Sequence, residues 1–93
     1  MAGYKFDGKY LTSSGRRVGK VQGDYIIDSS SRRVGKVQGD YILDKSGRRL
    51  GSFDGKYLKD KSGRRIIDRN GIEKDIDGNG GVTLAALWLL FVR

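Results

Sequence analysis

Polar and apolar residues alternate along short stretches of this chain, and the pattern recurs every sixteen positions. Residues 16–26 and residues 32–42 both read RRVGKVQGDYI, and weaker copies begin at positions 48 and 64. Each copy contains two short runs rich in Val, Ile, Leu and Tyr, which are good strand formers. Gly, Asp, Asn and Ser flank these runs and are typical of hairpin turns. The tight turns are Asp7-Gly8, Gln22-Gly23, Gln38-Gly39, Asp54-Gly55 and Asn70-Gly71, and the longer turns include Lys45-Ser46-Gly47 and Lys61-Ser62-Gly63. The pattern therefore predicts two short strands per repeat.

The predicted strands are of two kinds that follow one another along the chain. The first kind is Asp24–Asp28, with copies at Asp40–Asp44 and Lys56–Asp60, and the second is Arg16–Val21, with copies at 32–37, 48–53 and 64–68. Gly3–Phe6 and Ile72–Ile76 are predicted as outer strands, which gives about ten strands in an up-and-down meander. Because a single repeat is unable to bury its apolar face alone, we expect a circular or stacked arrangement.

An interior glycine occurs in each strand of the second kind except the last, at Gly19, Gly35 and Gly51. Such a glycine marks a bulge, a bend or the close approach of another element. Strand alternation places residues 17, 19 and 21 on one face and residues 16, 18 and 20 on the other. The sequence is compatible with either face lining the interior.

The C-terminal segment Val82–Val92 is apolar on every side, which is typical of a helix that is buried or in lipid. A helix of this length spans about 16 Å, roughly half of a bilayer core, so it is too short to cross a membrane. It does match the height of a wall of short strands. The segment is predicted to plug the centre of the sheet, and a membrane-surface helix or an oligomer interface are the alternatives.

These patterns together predict an all-β fold, a shallow pseudo-symmetric antiparallel barrel of about ten short strands with the apolar helix in its centre. We expect one domain, made of a repeat barrel over residues 1–76, a Gly/Asn turn over 77–81 and the helix over 82–92.

The composition narrows the range of functions. The 93 residues include 19 Lys and Arg against 11 Asp and Glu, a formal charge of +8 that favours anionic partners. Cysteine and histidine are absent, and no pairing of a nucleophile with a base is identifiable, so we expect neither an enzyme nor a cofactor. The N-terminus lacks the apolar stretch of a signal peptide, which predicts a location in the cytoplasm or at the inner face of the membrane.

Paired arginines are the leading candidate binding residues, because guanidinium groups repeated around a ring would concentrate positive potential and bind phosphate in a bidentate manner. The alternative is a purely structural ion pair across each longer turn, joining Asp28 to Arg32, Asp44 to Arg48 and Asp60 to Arg64. The candidate anion-binding residues are Arg16, Arg17, Arg32, Arg33, Arg48, Arg49, Arg64, Arg65, Lys20 and Lys36.

Two further groups of residues have both a structural and a functional interpretation. Tyr10, Tyr25, Tyr41 and Tyr57 repeat in register, which predicts core or rim packing, with stacking on nucleic-acid bases as the alternative. Asp75, Asp77 and Asn79 resemble the start of a calcium-binding loop. Position 12 of that loop is Ala86 instead of Glu, and no helix is predicted before it, so a simple turn is favoured and no metal is expected.

With four units of the type G-[KD]-Y-[IL]-x-D-x-S-G-R-R-[VL]-G over residues 4–76, the chain resembles the 4-fold beta flower family of small bacterial proteins. The residues that carry the resemblance are Gly23, Tyr25, Asp28, Arg32 and Gly35, with Gly39, Tyr41, Asp44, Arg48 and Gly51 in the next unit. The resemblance implies a shallow barrel whose hairpins splay outward. That fold is similar in outline to the tubby C-terminal domain, a phosphoinositide-binding barrel threaded by an apolar C-terminal helix. Thr12 and the segment Ile67–Arg69 depart from the pattern.

The family carries no established activity, so the functional prediction depends on charge and outline. We expect a binding module that associates with anionic membrane lipid through a basic surface. The alternatives are nucleic-acid binding and a structural or oligomerisation role, and a monomer and a homo-oligomer are equally compatible with the sequence.

Overall fold

The computed structural model describes residues 3–78 and 81–92 of the chain, which form one ten-stranded sheet, two helices and a π-helical C-terminal segment. The strands are β1 (Tyr4–Phe6), β2 (Tyr10–Ser13), β3 (Arg16–Gln22), β4 (Tyr25–Asp28), β5 (Arg33–Gln38), β6 (Tyr41–Asp44), β7 (Arg49–Phe53), β8 (Tyr57–Asp60), β9 (Arg65–Asp68) and β10 (Ile76–Asp77). Helix α1 spans Arg69–Asp75 and α2 spans Val82–Leu87, which continues as the π-helical segment Trp88–Val92. The all-β prediction is confirmed.

The sheet follows the chain in an antiparallel meander from β1 to β9, and β10 then pairs with β1 in parallel. Strands β9 and β10 are not neighbours, so the sheet is open at this seam and does not close into a complete barrel. Helix α1 contacts both β9 and β10 and also touches the C-terminal helix. The seam is therefore covered by a helix instead of a row of strand hydrogen bonds.

Helix α1 lies where residues 72–76 were predicted to form an outer strand, and only Ile76 of that range is in a strand. The carboxylate of Asp68 caps the helix by accepting the Gly71 N–H at 2.8 Å. An ion pair of 3.0 Å joins Arg69 to Glu73 one turn later. Because a cap and an i,i+4 pair both stabilise a short helix, the Asn70-Gly71 sequence does not act as a hairpin turn here.

The first half of the C-terminal segment is buried against the sheet, as the plug prediction requires, and Trp88–Val92 is partly buried. The residues Leu84–Leu87 are at most 5% exposed and share one hydrophobic cluster with the inner side chains of the strands. The fully buried strand residues of that cluster are Leu11, Ile26, Ile42, Leu58 and Ile76. Burial of a leucine or isoleucine contributes about 1.5–3 kcal/mol, so this cluster is the main source of stability in so short a chain.

Register shifts in four strand pairs determine which residues face the interior. Leu11 is opposite Gly19 and the next residue, Thr12, is opposite Arg17, so Val18 is an extra residue in the ladder. The same shift recurs at Val34, Leu50 and Ile66. Each extra residue packs against the core. A bulge of this kind breaks the strict alternation of faces, so the predicted grouping of residue 17 with residues 19 and 21 is wrong.

The interior glycines leave room for the C-terminal segment. A Cβ atom at Gly19 would lie 2.6 Å from Cζ of Phe91, and one at Gly35 would lie 2.6 Å from Cδ1 of Leu90. At Gly51 an added Cβ would meet the backbone carbonyl of Lys59. Of the alternatives predicted for these glycines, a bulge and a close approach are both observed.

The helical tail runs along the strands from one rim of the sheet to the other. Gly78, just before the tail, lies against Phe6, next to the tight turn after β1. Leu90 and Phe91 lie against Gly35 and Gly19, which pair with residues at the start of the longer turns. The C-terminal end of the tail is therefore at the rim of the longer turns. Within the residues described, no helix is both long and apolar enough to cross a bilayer.

Candidate functional site: the arginine–tyrosine clefts

The second arginine of each pair stacks on the tyrosine of the preceding strand. The guanidinium carbon lies 4.0–4.1 Å from the ring centroid in all four repeats. The four stacked pairs are Arg17 on Tyr10, Arg33 on Tyr25, Arg49 on Tyr41 and Arg65 on Tyr57. Such a contact contributes about 0.5–1 kcal/mol at an exposed site and holds the guanidinium plane in one orientation.

The bulges bring these pairs together on the outer surface. Because Val34 is extra in its strand, Arg33 is opposite Ile27, two residues beyond Tyr25, and Tyr25 itself is opposite Lys36. The side chains of Arg33 and Lys36 therefore both reach the ring of Tyr25, with the Lys36 Nζ 5.5 Å from its centroid. The four stacked tyrosines are outside the hydrophobic cluster.

Three of the stacked pairs border a cleft on the outer surface, between the pair and the longer turn of the next repeat. Cleft I lies between the Tyr10–Arg17 stack and the turn 28–31 and has a volume of about 230 Å³. Cleft II lies between the Tyr25–Arg33 stack and the turn 44–47 and has a volume of about 320 Å³. Cleft III lies between the Tyr41–Arg49 stack and the turn 60–63 and has a volume of about 110 Å³. A buried glycine lines each cleft.

The longer turns are held by an aspartate that accepts backbone hydrogen bonds. In cleft II, Oδ1 of Asp44 accepts the N–H groups of Ser46 at 2.8 Å and of Arg48 at 2.9 Å. The backbone hydrogen bond from Arg48 is the largest cause of the lowered pKa of Asp44. Asp28 and Asp60 make the same two bonds in their own turns. These carboxylates therefore stabilise turns.

The ion pairs predicted across the longer turns are not formed. The aspartates bind the backbone of Arg32, Arg48 and Arg64 instead of their guanidinium groups. Over residues 3–78 and 81–92, the side-chain ion pairs are Lys59–Asp54 and Arg69–Glu73. All eight arginines of the repeat pairs are exposed to solvent.

The surface beside the seam is of mixed charge. An open depression of about 700 Å³ lies there, between β1, the first longer turn and α1. Lys5 and Lys74 line it together with Glu73 and Asp77, and no stacked arginine is present among its lining residues. The remaining stacked pair, Tyr57–Arg65, adjoins Asp68, which caps α1.

The calcium-loop interpretation finds little support in the residues that the structure describes. The Oδ2 atom of Asp75 accepts a hydrogen bond of 2.8 Å from the indole of Trp88, and Asp77 is in β10 opposite Lys5. Asn79 lies outside the described residues. A helix does precede the loop, contrary to the prediction, but its last residue is Asp75 itself. No cluster of three acidic residues is found within the described ranges.

Sequence reasoning identified the arginines and the tyrosines but did not pair them. The signal for the pairing is the spacing from each tyrosine to the arginine that stacks on it, which is seven residues in the first pair and eight in the other three. The contributions of Lys45 and Lys61, which line clefts II and III, were also missed because they lie in the turns. Lys20 and Lys36, which were predicted, line clefts I and II.

No family model, curated protein or solved structure matches this chain significantly. The resemblance to the 4-fold beta flower family therefore stays a prediction.

Proposed function

We propose that this protein is a non-enzymatic binding module that associates with anionic phospholipid surfaces through its outer arginines. The observation that carries the proposal is the exposed arginine stacked on tyrosine, which recurs four times without a carboxylate partner in the described residues. A location in the cytoplasm or at the inner face of a membrane is part of the same proposal.

Electrostatics supports a charged surface as the partner. The chain carries a formal charge of +8, and each basic residue near an anionic leaflet contributes about 1 kcal/mol of binding free energy. Arginines in several repeats can contact one surface together, so their contributions combine in a single binding event. Because the guanidinium groups are already held by stacking, less conformational entropy is lost when they contact phosphate.

A nucleic-acid partner is less well supported, because three of the four tyrosine rings each contact two of the protein's own cations and the fourth, Tyr41, contacts Arg49. Arg17 and Lys9 lie 4.0 and 5.4 Å from the Tyr10 centroid, and Tyr25 and Tyr57 have equivalent pairs of cations. A base would need to displace an arginine before it could stack. Oligomerisation through the tail is also disfavoured, since Leu84–Leu87 are buried in the core of the same chain.

Vesicle flotation tests the proposal. Wild-type protein is expected to float with vesicles that contain phosphatidylglycerol but not with vesicles of phosphatidylcholine alone. The double variant R33A/R49A removes two stacked arginines and should bind the acidic vesicles about 30-fold more weakly, at about 1 kcal/mol per residue.

The variant K9A/K56A provides a control with the same loss of charge. Both lysines lie 5.4 Å from a tyrosine centroid, but they are in tight turns at the opposite rim of the sheet and outside the clefts. We expect this variant to lose less binding than R33A/R49A, because neither of its lysines is a stacked arginine or lines a cleft. Equal losses in the two double variants, or equal flotation with neutral and acidic vesicles, would contradict the proposal.

A further inference from the structure

We propose that cleft II binds a phosphate monoester group and that its counterparts, clefts I and III, bind the same group more weakly. This inference rests on the proposed function in one respect, since it specifies which anionic headgroup the basic surface prefers. It depends on differences among three sites that are otherwise equivalent in the repeat.

Cleft II combines the charge and the volume that such a group requires. It is the largest of the three, at about 320 Å³, and is lined by the cations Arg33, Lys36 and Lys45 and the carboxylate Asp44. Its net charge is therefore two positive units, which complements the double negative charge of an ionised phosphate monoester. The Asp44 carboxylate is engaged by two backbone N–H groups through Oδ1, which offsets its repulsion of an anion.

The geometry of cleft II holds two cations beside one ring. The Arg33 guanidinium carbon is 4.1 Å and the Lys36 Nζ is 5.5 Å from the Tyr25 centroid. A guanidinium held by its face against a ring keeps its N–H edge available for two phosphate oxygens. The ammonium supplies a compact second charge, and Ser46 lines the same cleft. These groups match a tetrahedral oxyanion.

Clefts I and III lack parts of this arrangement. In cleft III, Ser52 occupies the position of Lys36, opposite Tyr41, and Tyr41 is 42% exposed. In cleft I, Ser29 takes the position of Lys45, so the charged lining residues are the cations Arg17 and Lys20 and the carboxylate Asp28. Each of these two clefts has one net positive charge among its lining residues.

A titration with glycerol phosphate at constant ionic strength, followed by amide NMR spectra, tests this ranking in the absence of any membrane. The amides of Gly35, Ser46 and Gly47 are expected to shift at lower ligand concentration than their counterparts in clefts I and III. K36S should weaken the binding in cleft II about tenfold, because one charge beside a dianion is lost. S52K should strengthen the binding in cleft III by a similar factor.

K56S is the matched control, since it removes one lysine from a tight turn outside the clefts. It should leave the cleft II titration unchanged. Shifts spread evenly over the surface, or an equal effect of K36S and K56S, would overturn the inference. A second signature is pH: the chain has no histidine, so weaker binding of glycerol phosphate at pH 5 than at pH 7.5 reports the second ionisation of the ester, near pH 6. An identical affinity at both pH values would contradict a dianion site.

Two sets of vesicles distinguish a lipid headgroup from a soluble ester as the source of the phosphate. At matched surface charge, vesicles with phosphatidic acid, a monoester, should bind more wild-type protein than vesicles with phosphatidylglycerol, a diester. Cleft-specific shifts with glycerol phosphate but no flotation on either vesicle would support the inference for soluble esters and refute the proposed membrane function. Strong flotation without cleft-specific shifts would refute the inference about cleft II and support the proposed membrane function.

Discussion

At the scale of single residues, the sequence predicted which positions are special but not the direction in which their side chains point. The interior glycines were correctly associated with bulges and close approach, yet simple alternation assigned Arg17 to the wrong set. The reason is physical: one extra residue, Val18, shifts the alternation, so the side chains that precede it in the strand point to the opposite face. A bulge depends on pairing with a neighbouring strand, which alternation along one strand does not reveal.

Replacement of the interior glycines by alanine should destabilise the protein to different extents. At Gly51 the new methyl group meets the backbone of Lys59, whereas at Gly19 it meets the end of the Phe91 side chain, which can move. We expect G51A to lower the free energy of unfolding by about 1–3 kcal/mol and G19A to lower it less. Chemical denaturation measures both. The control is G3A, because nothing lies within 4 Å of a Cβ there, and a cost as large as that of G51A would contradict the packing argument.

At the scale of secondary-structure elements, the strands and most turns were predictable because their chemistry is local. The repeated Asp44–Arg48 type of turn is stabilised by hydrogen bonds within five residues of the chain. In the second repeat, Ser31 occupies the glycine position and adopts φ 66°, a left-handed conformation that usually favours glycine. Helix α1 was missed because Asn70-Gly71 resembles a turn. The Asp68 cap and the Arg69–Glu73 spacing were the signals for it.

The tight turn after β7 should make stability depend on pH in acid. Two backbone N–H groups, of Tyr57 first and then Lys56, lower the pKa of Asp54 from 3.8 to about 2, and Lys59 adds to the effect. Since the folded-state pKa is depressed, the stabilisation is complete above the unfolded value of 3.8 and is lost as the pH falls through about 2. Thermal unfolding of D54N should show a smaller loss of Tm than wild type across this window. Parallel curves for the two proteins would contradict this role of Asp54.

At the scale of the whole molecule, the sequence predicted a sheet around an apolar tail but not the seam. The tail was predictable because Val82–Val92 has no polar face and therefore needs a complete apolar surround. The seam between β9 and β10 was not predictable, because it depends on the parallel pairing of β10 with β1 and on helix α1 covering the gap. The clefts also belong to this scale, because each combines residues of two successive repeats.

The central claim is that the strands enclose the tail of the same chain and thereby turn the arginine–tyrosine pairs outward. Nuclear Overhauser effects in the lipid-free monomer test this most directly. We predict contacts from the Gly35 α-protons to the Leu90 methyl groups and from the Gly19 α-protons to the Phe91 ring. The absence of both contacts in a protein whose strand amides show the hairpin pairing would contradict the account.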